Sequence, residues 1–253
     1  MWAAISCSAA LTNKPPYLSV VIPYRDEESS LPELYAELCE VLDAFSFESE
    51  IVFVDDASRD EGCSIVRDLA AKDRRVRGLS LSPHSGQSAA LAAGFRAVRG
   101  EIVATLDADL QNVPADLPSL IAALDHADCV CGVRQLRQDS LAKRLGSRAA
   151  NAFRRFVLSD GISDIGCSIR VMRASSLSRV KLFRGGHRFL PALLAMEGDR
   201  IVELPVRHRA RRHGSSKYGL VRRLLESSFD LLAVYWMKRR TDRHEVKELN
   251  RRA

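Results

Sequence analysis

Three short apolar runs constrain this chain more than any other feature. They are Leu18-Ser19-Val20-Val21-Ile22, Ile51-Val52-Phe53-Val54 and Ile102-Val103-Ala104-Thr105-Leu106, and Val76 to Leu81 reads as a further strand between the last two. Runs this short and this rich in Val and Ile suit strands buried on both faces. Between them lie segments with helical spacing. Ser30-Leu31-Pro32-Glu33 opens the first, with Ser30 as its cap and Leu34, Leu38, Val41 and Leu42 as its apolar face. A second helix is expected through Ile65, Val66 and Leu69, a third from Gln87 to Val98 before Gly100, and a fourth after Pro114 through Leu117, Leu120 and Leu124. Pro23 is expected to stop the first strand. Cys129-Val130-Cys131-Gly132 and Ile201 to Val206 read as further strands. Strand alternating with helix means βαβ units, hence an α/β fold with a mostly parallel sheet.

In such sheets ligands sit beyond the carboxyl ends of the strands. Three of those ends carry acids: Asp26 and Glu27, Asp55 and Asp56, Asp107 and Asp109. Asp107-Ala108-Asp109-Leu110-Gln111 offers three hard oxygen ligands at one strand tip. Carboxylate and amide oxygens suit Mg²⁺ or Mn²⁺, and Mg²⁺ takes only one or two protein carboxylates, leaving room for phosphate and water. The segment reads either as a metal bridge to the diphosphate of a nucleotide or as an ordinary polar loop. Convergence of three acidic strand ends on one crevice favours the metal. No Gly-X-Gly-X-X-Gly and no Gly-X-X-X-X-Gly-Lys-Ser/Thr is present, so neither a dinucleotide fold nor a P-loop is signalled.

The net charge of +6 conceals a division. Residues 1–133 hold 10 Lys and Arg against 21 Asp and Glu, a balance of −11; the remainder holds 28 against 11, a balance of +17. An acidic half with metal ligands and a basic half suit a site that handles a metal and phosphates. Nucleic acid is not expected as a partner, because the basic half shows no recognition module or aromatic interleaving. The six cysteines lack metal-type spacing and read as reduced thiols of a cytosolic protein. No stretch reaches the ~20 apolar residues of a membrane span, and no signal peptide is expected.

Val20-Val21-Ile22-Pro23…Glu27, Val54-Asp55-Asp56-Ala57-Ser58, Gly86-Gln87-Ser88-Ala89-Ala90-Leu91, Asp107 to Gln111, Asp164-Ile165-Gly166-Cys167-Ser168-Ile169-Arg170 and Gly214-Ser215-Ser216-Lys217-Tyr218 together resemble family-2 glycosyltransferases. The likeness is to the branch of dolichol-phosphate mannose synthase and bacterial polyprenyl-phosphate glycosyltransferases, and runs from about Leu18 to Met237. It implies a GT-A fold with a Rossmann-like sheet flanked by helices, a nucleotide-sugar donor, a polyprenyl or dolichyl phosphate acceptor and inverting transfer of a hexose-type sugar. By position, Pro23, Glu27, Val54 and Asp56 would line the base and ribose, and Asp107, Ala108, Asp109 and Gln111 the metal and diphosphate. Direct metal ligation would fall to Asp107, Asp109 and Gln111. Arg134, Arg211 and Lys217 match basic positions that grip phosphate, and Asp164 an acid near the reacting carbon. Arg25 stands where the family's Pro-X-Tyr-Asn-Glu has its aromatic residue, and Ala57 where its Asp-Asp-Gly-Ser turn has glycine.

Arg148 and Asn151 are expected as acceptor-phosphate contacts, and Arg170 as a partner of Asp164 or of a phosphate. Arg207 to Tyr218 reads as a basic acceptor or lid loop that orders when donor and metal bind, or as a solvated basic loop. His187-Arg188-Phe189-Leu190-Pro191 is expected to start a helix. Leu220 to Arg240 reads as an amphipathic helix with Phe229, Tyr235 and Trp236 beside basic residues. It suits a bilayer interface, the surface of its own domain or a membrane-anchoring subunit. The expected organisation is an extension over 1–16, a catalytic domain over 17–218 and a basic helical tail over 219–253, peripheral on the cytosolic face of a membrane. Two rival functions are transfer to a saccharide or protein and a non-catalytic membrane scaffold.

Overall fold

A computed structural model of the protein describes residues 15–135, 152–210 and 220–241, without the side chains of 220–227. Arg148, Asn151, Arg211, Lys217 and nearly all of the 1–16 extension lie outside the described residues. Seven strands are present: β1 (Leu18–Tyr24), β2 (Ser49–Asp55), β3 (Val76–Ser80), β4 (Ile102–Thr105), β5 (Cys129–Arg134), β6 (Arg170–Arg173) and β7 (Ile201–Val206). They form one sheet in the order β3-β2-β1-β4-β6-β5-β7. All neighbouring pairs are parallel except the two made by β6, which runs antiparallel to β4 and β5.

Helices α1 (Leu31–Leu42), α2 (Gly62–Lys72), α3 (Gln87–Ala97) and α4 (Leu117–Ala122) follow the first four strands in turn. Beyond β5 come α5 over 152–158, α6 (Ala174–Leu177), α7 (Leu190–Met196) and α8 (Leu220–Arg240). Side chains of β2 alternate between two apolar layers. Ile51 and Phe53 meet Leu34 and Leu38 of α1 and Leu117 of α4; Val52 and Val54 meet Ala90 and Leu91 of α3. Each large side chain so buried contributes roughly 1.5–3 kcal/mol. A slip of one residue would exchange the layers, so both faces hold the register. A third cluster joins Leu158 of α5, Phe189 and Leu193 at α7, and Leu231 and Val234 of α8. The described part of α8 is therefore docked against α5 and α7.

Four local expectations are corrected. Pro23 does not stop β1, which continues to Tyr24. The β1–β4 pairing ends at Val21↔Thr105, while Val21 accepts from Leu106 and Tyr24 accepts from Asp56. Odd residues thus face β4, and the missing N–H of Pro23 points where no partner strand remains. Ser30 precedes α1, but its hydroxyl bonds back to Glu27 rather than capping. The fourth helix is divided, with 3₁₀ turns over Pro114–Asp116 and Ala123–His126 around α4. His187 lies in a 3₁₀ turn over Gly186–Phe189 that precedes α7.

Candidate active site

The strand order reverses at β1, with β2 on one side and β4 on the other, so a crevice opens beyond the carboxyl ends of these strands. The antiparallel β6 adds to it. Arg170, the first residue of β6, pairs with Thr105 at the end of β4 and with Cys131 of β5. The approach to β6, from Asp164 to Ile169, therefore arrives at the edge where the parallel strands end.

The exits of β1 and β2 are laced together. Asp26 receives the Arg59 N–H at 2.8 Å, and its own N–H goes to Ser58 Oγ at 3.0 Å. Glu28 donates to Asp60 at 2.8 Å and accepts from the Glu61 N–H at 2.9 Å. The turn places Ala57 at φ 58° and Asp26 at φ 51°. Asp56 accepts the N–H groups of Ser85 and Gly86 at 2.7 and 2.8 Å and meets His84 Nδ1 at 2.8 Å. Asp55 holds Ser58 and Ser80 instead. Pro23 and Val54 are buried register partners, so Val54 can offer a ligand only its main chain, and Glu27 is half-buried. Tyr24 turns inward against Phe53, and burial, followed by the charge of Asp55, pushes its phenol far above the ordinary range.

At the tip of β4, Asp107 is half-buried, whereas Ala108 and Asp109 are 3% and 6% exposed. Gln87, the first residue of α3, donates from Nε2 to Asp107 Oδ1 at 2.7 Å. Asp109 Oδ1 accepts the Gln111 N–H at 3.2 Å, while Leu110 between them adopts φ 61°. Two carboxylates on one short turn, one steered by an amide, fit a hard divalent cation whose other positions belong to phosphate and water. Among the described residues no three His, Cys, Asp or Glu side chains form a closed cage, and a two-carboxylate site requires none.

The start of the basic segment is stitched to this turn. Arg209 N–H reaches the Gln111 carbonyl at 2.9 Å, Gln111 Nε2 reaches the Arg209 carbonyl at 3.4 Å, and Asn112 bridges to His208. Arg207 and Arg209 are braced by Asp116 and Glu37.

Arg134, at the end of β5, and Asp164 come together. Nε and Nη2 of Arg134 donate to the two oxygens of Asp164, both at 2.8 Å, with side chains only 14% and 9% exposed. A two-pronged pair this dry is stronger and more directional than a surface contact. A Cβ on Gly166 would stand 2.6 Å from Arg134 Nη2, so glycine lets the guanidinium lie against the main chain. Glu203 of β7 holds the segment by accepting from Ser163 N and Oγ and from Asp164 N. Cys167 beneath it is 1% exposed; burial, then the Asp164 charge, pushes its thiol up to about 12.

Arg170 departs from expectation. It is 4% exposed and donates to the carbonyls of His187 and Ile165 at 2.8 and 2.9 Å. Its geometry is that of a brace beneath the approach to β6, and Asp164 pairs with Arg134 instead. Sequence reasoning assigned no role to Gln87, Glu203 or the Ser88 Oγ···His187 Nδ1 contact at 2.8 Å. Gln87 and Ser88 carried a signal as polar residues of one motif opening a small-residue helix, whereas Glu203 carried none.

A sequence profile described as glycosyl transferase family 2 matches residues 19–181. An undecaprenyl-phosphate 4-deoxy-4-formamido-L-arabinose transferase of Edwardsiella ictaluri is 38% identical over 218 residues, covering 85% of this chain and 67% of the relative. A dodecaprenyl-phosphate galacturonate synthase of Rhizobium johnstonii is 36% identical over 228 residues, covering 88% and 67%. The chain spans about two thirds of the length of these relatives. Glucosyl-3-phosphoglycerate synthase from Mycobacterium tuberculosis, solved with Mn²⁺, uridine diphosphate and phosphoglyceric acid, superposes with a TM-score of 0.66 at 17% identity over 90% of this chain and 80% of that one. At that identity the likeness is one of fold.

Proposed function

The chain belongs to glycosyl transferase family 2, and from that premise we propose that it moves a hexose-type sugar from a nucleotide-sugar donor to a polyprenyl or dolichyl phosphate, with inversion, at the cytosolic face of a membrane. The observation that carries this reading is the meeting of three segments at one sheet edge: the Asp107–Gln111 turn, the basic segment stitched to it, and the Arg134–Asp164 pair. The acceptor chemistry is supported by the lipid-phosphate acceptors named for the relatives.

A phosphate monoester has its second pKa near ~6, so the acceptor is already mostly dianionic at neutral pH and needs no strong general base. Its oxygen attacks the anomeric carbon from the face opposite the diphosphate. The new C–O bond forms as the bond to the leaving oxygen breaks, and the electron pair departs on the nucleoside diphosphate. The protein's tasks are to hold two anions together and to stabilise the one that leaves. Asp107, Asp109 and Gln111 would hold Mg²⁺ or Mn²⁺, which when bound offsets charge developing on the diphosphate. Pro23, Glu27, Asp56 and the main chain at Val54 line the nucleoside, and Arg134, Arg211 and Lys217 receive phosphate oxygens. Asp164 orients Arg134 and faces the reacting carbon.

Full-length protein given Mn²⁺, a radiolabelled nucleotide hexose and a polyprenyl phosphate should place label in organic-extractable lipid. Label in water-soluble glycan alone, across uridine and guanosine donors, would overturn the acceptor assignment. Asp109→Ala should lower transfer about 10³-fold, the scale of losing a principal charge-stabilising group. It should also abolish stabilisation by Mn²⁺ with nucleoside diphosphate, which in the wild type reaches about 2.7 kcal/mol at a hundredfold excess over Kd.

A further inference from the structure

One peptide group beside Asp164 is gripped by opposite charges. Its carbonyl, on Ile162, accepts from Nη2 of Arg154 on α5. Its N–H, on Ser163, goes to the Glu203 carboxylate of β7 at 2.9 Å. Glu203 also accepts from the Asp164 N–H at 3.3 Å and from Ser163 Oγ at 2.7 Å. Arg154 is 3% exposed and is itself paired with Asp160. β7 is the last strand of the described sheet, and its side chains are half-buried or exposed as far as Pro205. An acid in such a strand ordinarily faces water, yet this one is engaged by a neighbouring loop.

We infer that Glu203, with Arg154 opposite it, is a positioning residue for the sugar transfer, fixing where Asp164 stands against the sheet. Residues 159–169 form neither helix nor strand, so no ladder of main-chain bonds sets that place. The bonds to Arg134 fix the two side chains to each other, but a long arginine can follow a loop that shifts. Glu203 removes this freedom from the main-chain side. Its strand is locked to β5 by the pairings Cys131↔Glu203 and Arg134↔Val206. Adjacent strands thus hold one residue twice, β5 by its carboxylate and β7 by its N–H. Hydrogen bonds to a charged acceptor are about twice as strong as neutral ones, which suits the restraint of a loop. Glu203 is not assigned a proton, because both its oxygens already accept from the loop. A misplacement of about 1 Å at a reacting centre can cost about 10²-fold, and the clamp prevents it. This role rests on the one proposed for Asp164 and adds what places that residue.

Full-length wild type, E203A, E203Q, D164N and the D164N/E203A double variant are assayed with Mn²⁺, the nucleotide hexose that wild type uses and a short, water-soluble prenyl phosphate. E203A should lower kcat about 10²-fold and leave the donor KM within about twofold of wild type, since the Asp107–Gln111 turn follows β4. Stabilisation by Mn²⁺ with nucleoside diphosphate should be unchanged. E203Q keeps an oxygen for both N–H groups without the charge; at about half the bond strength it should lose about tenfold. In the D164N background E203A should cost less than about twofold more. A full second loss there would show Glu203 acting apart from Asp164 and overturn the inference. A wild-type rate in E203A would overturn it too, as would an equal loss of donor KM and nucleotide stabilisation, the mark of damage to the whole fold. Amide exchange over 160–167 should quicken in E203A while that over 102–110 stays as in wild type; no change over 160–167 would remove the clamp. Should E203A not fold, E203Q and D164N/E203Q carry the same cycle, and persistence of the tenfold loss in the double variant would overturn the inference. If wild type labels a soluble glycan instead of a prenyl phosphate, the acceptor reading falls, and the cycle run on that glycan still decides the role of Glu203.

Discussion

Arg134→Met tests the central pair most directly. Both ends are nearly dry, and two 2.8 Å bonds join them. Removing one partner of a buried pair costs about 3–5 kcal/mol, because the survivor is left charged and uncompensated. The partial exposure of Arg134 and the Gly166 N–H that still reaches Asp164 at 3.1 Å favour the lower end, about 3 kcal/mol. At about 2–4 °C per kcal/mol for a chain of this size, the melting temperature should fall by roughly 6–12 °C. Asp164→Leu should cost a similar amount, whereas the double variant, which leaves neither charge buried, should recover at least about 2 kcal/mol of the combined loss. Calorimetry of the four proteins closes the cycle, with sugar transfer measured on the same samples. The double variant should regain stability without regaining transfer, separating fold from chemistry. Single variants within about 0.5 kcal/mol of wild type would refute the reasoning, since that is the behaviour of a solvated surface pair.

Two further outcomes concern the backbone and a buried thiol. Ala57 holds φ 58°, a region that costs an L-residue about 1–2 kcal/mol; Ala57→Gly relieves this but loosens the unfolded chain by about 0.4–1 kcal/mol. A net gain of about 0.5–1 kcal/mol should raise the melting temperature by about 1–4 °C, and a lower one would show that the turn does not hold this conformation. Cys167 is favoured as the neutral thiol in the fold, at about 12 against a usual value of 9.0. Its contribution is therefore complete below about pH 9 and lost as pH rises toward 12. Cys167→Ala should flatten the decline in stability across that interval, and an unchanged slope in denaturant titrations would count against the burial argument.

β1, β2 and β4 were legible because they carry short runs rich in Val and Ile and lead into acids. β6 was not. It is four residues long, begins and ends in arginine, and has only Val171 and Met172 as apolar signal, so its approach read as a motif without a strand. The same blindness hid the Arg134–Asp164 pair: each residue was singled out for a substrate, but a contact thirty positions apart leaves no periodic trace. Pro23 misled because proline usually ends a strand, and only the register shows that its nitrogen faces an open edge.

The reversed direction of β6 also divides the molecule's freedom to vary. Groups proposed for the donor leave the sheet at the exits of β1, β2 and β4, where strand register fixes their places and an added residue would shift every partner. Asp164 instead comes at the end of a long excursion that begins after Arg134 and re-enters the sheet at Arg170. The ends of that excursion are held by β5 and β6, and its stretch over 152–169 by Glu203 of β7 and the third apolar cluster. None of these anchors belongs to β1, β2 or β4, so this architecture separates the side proposed for the acceptor from the strands proposed to hold the donor.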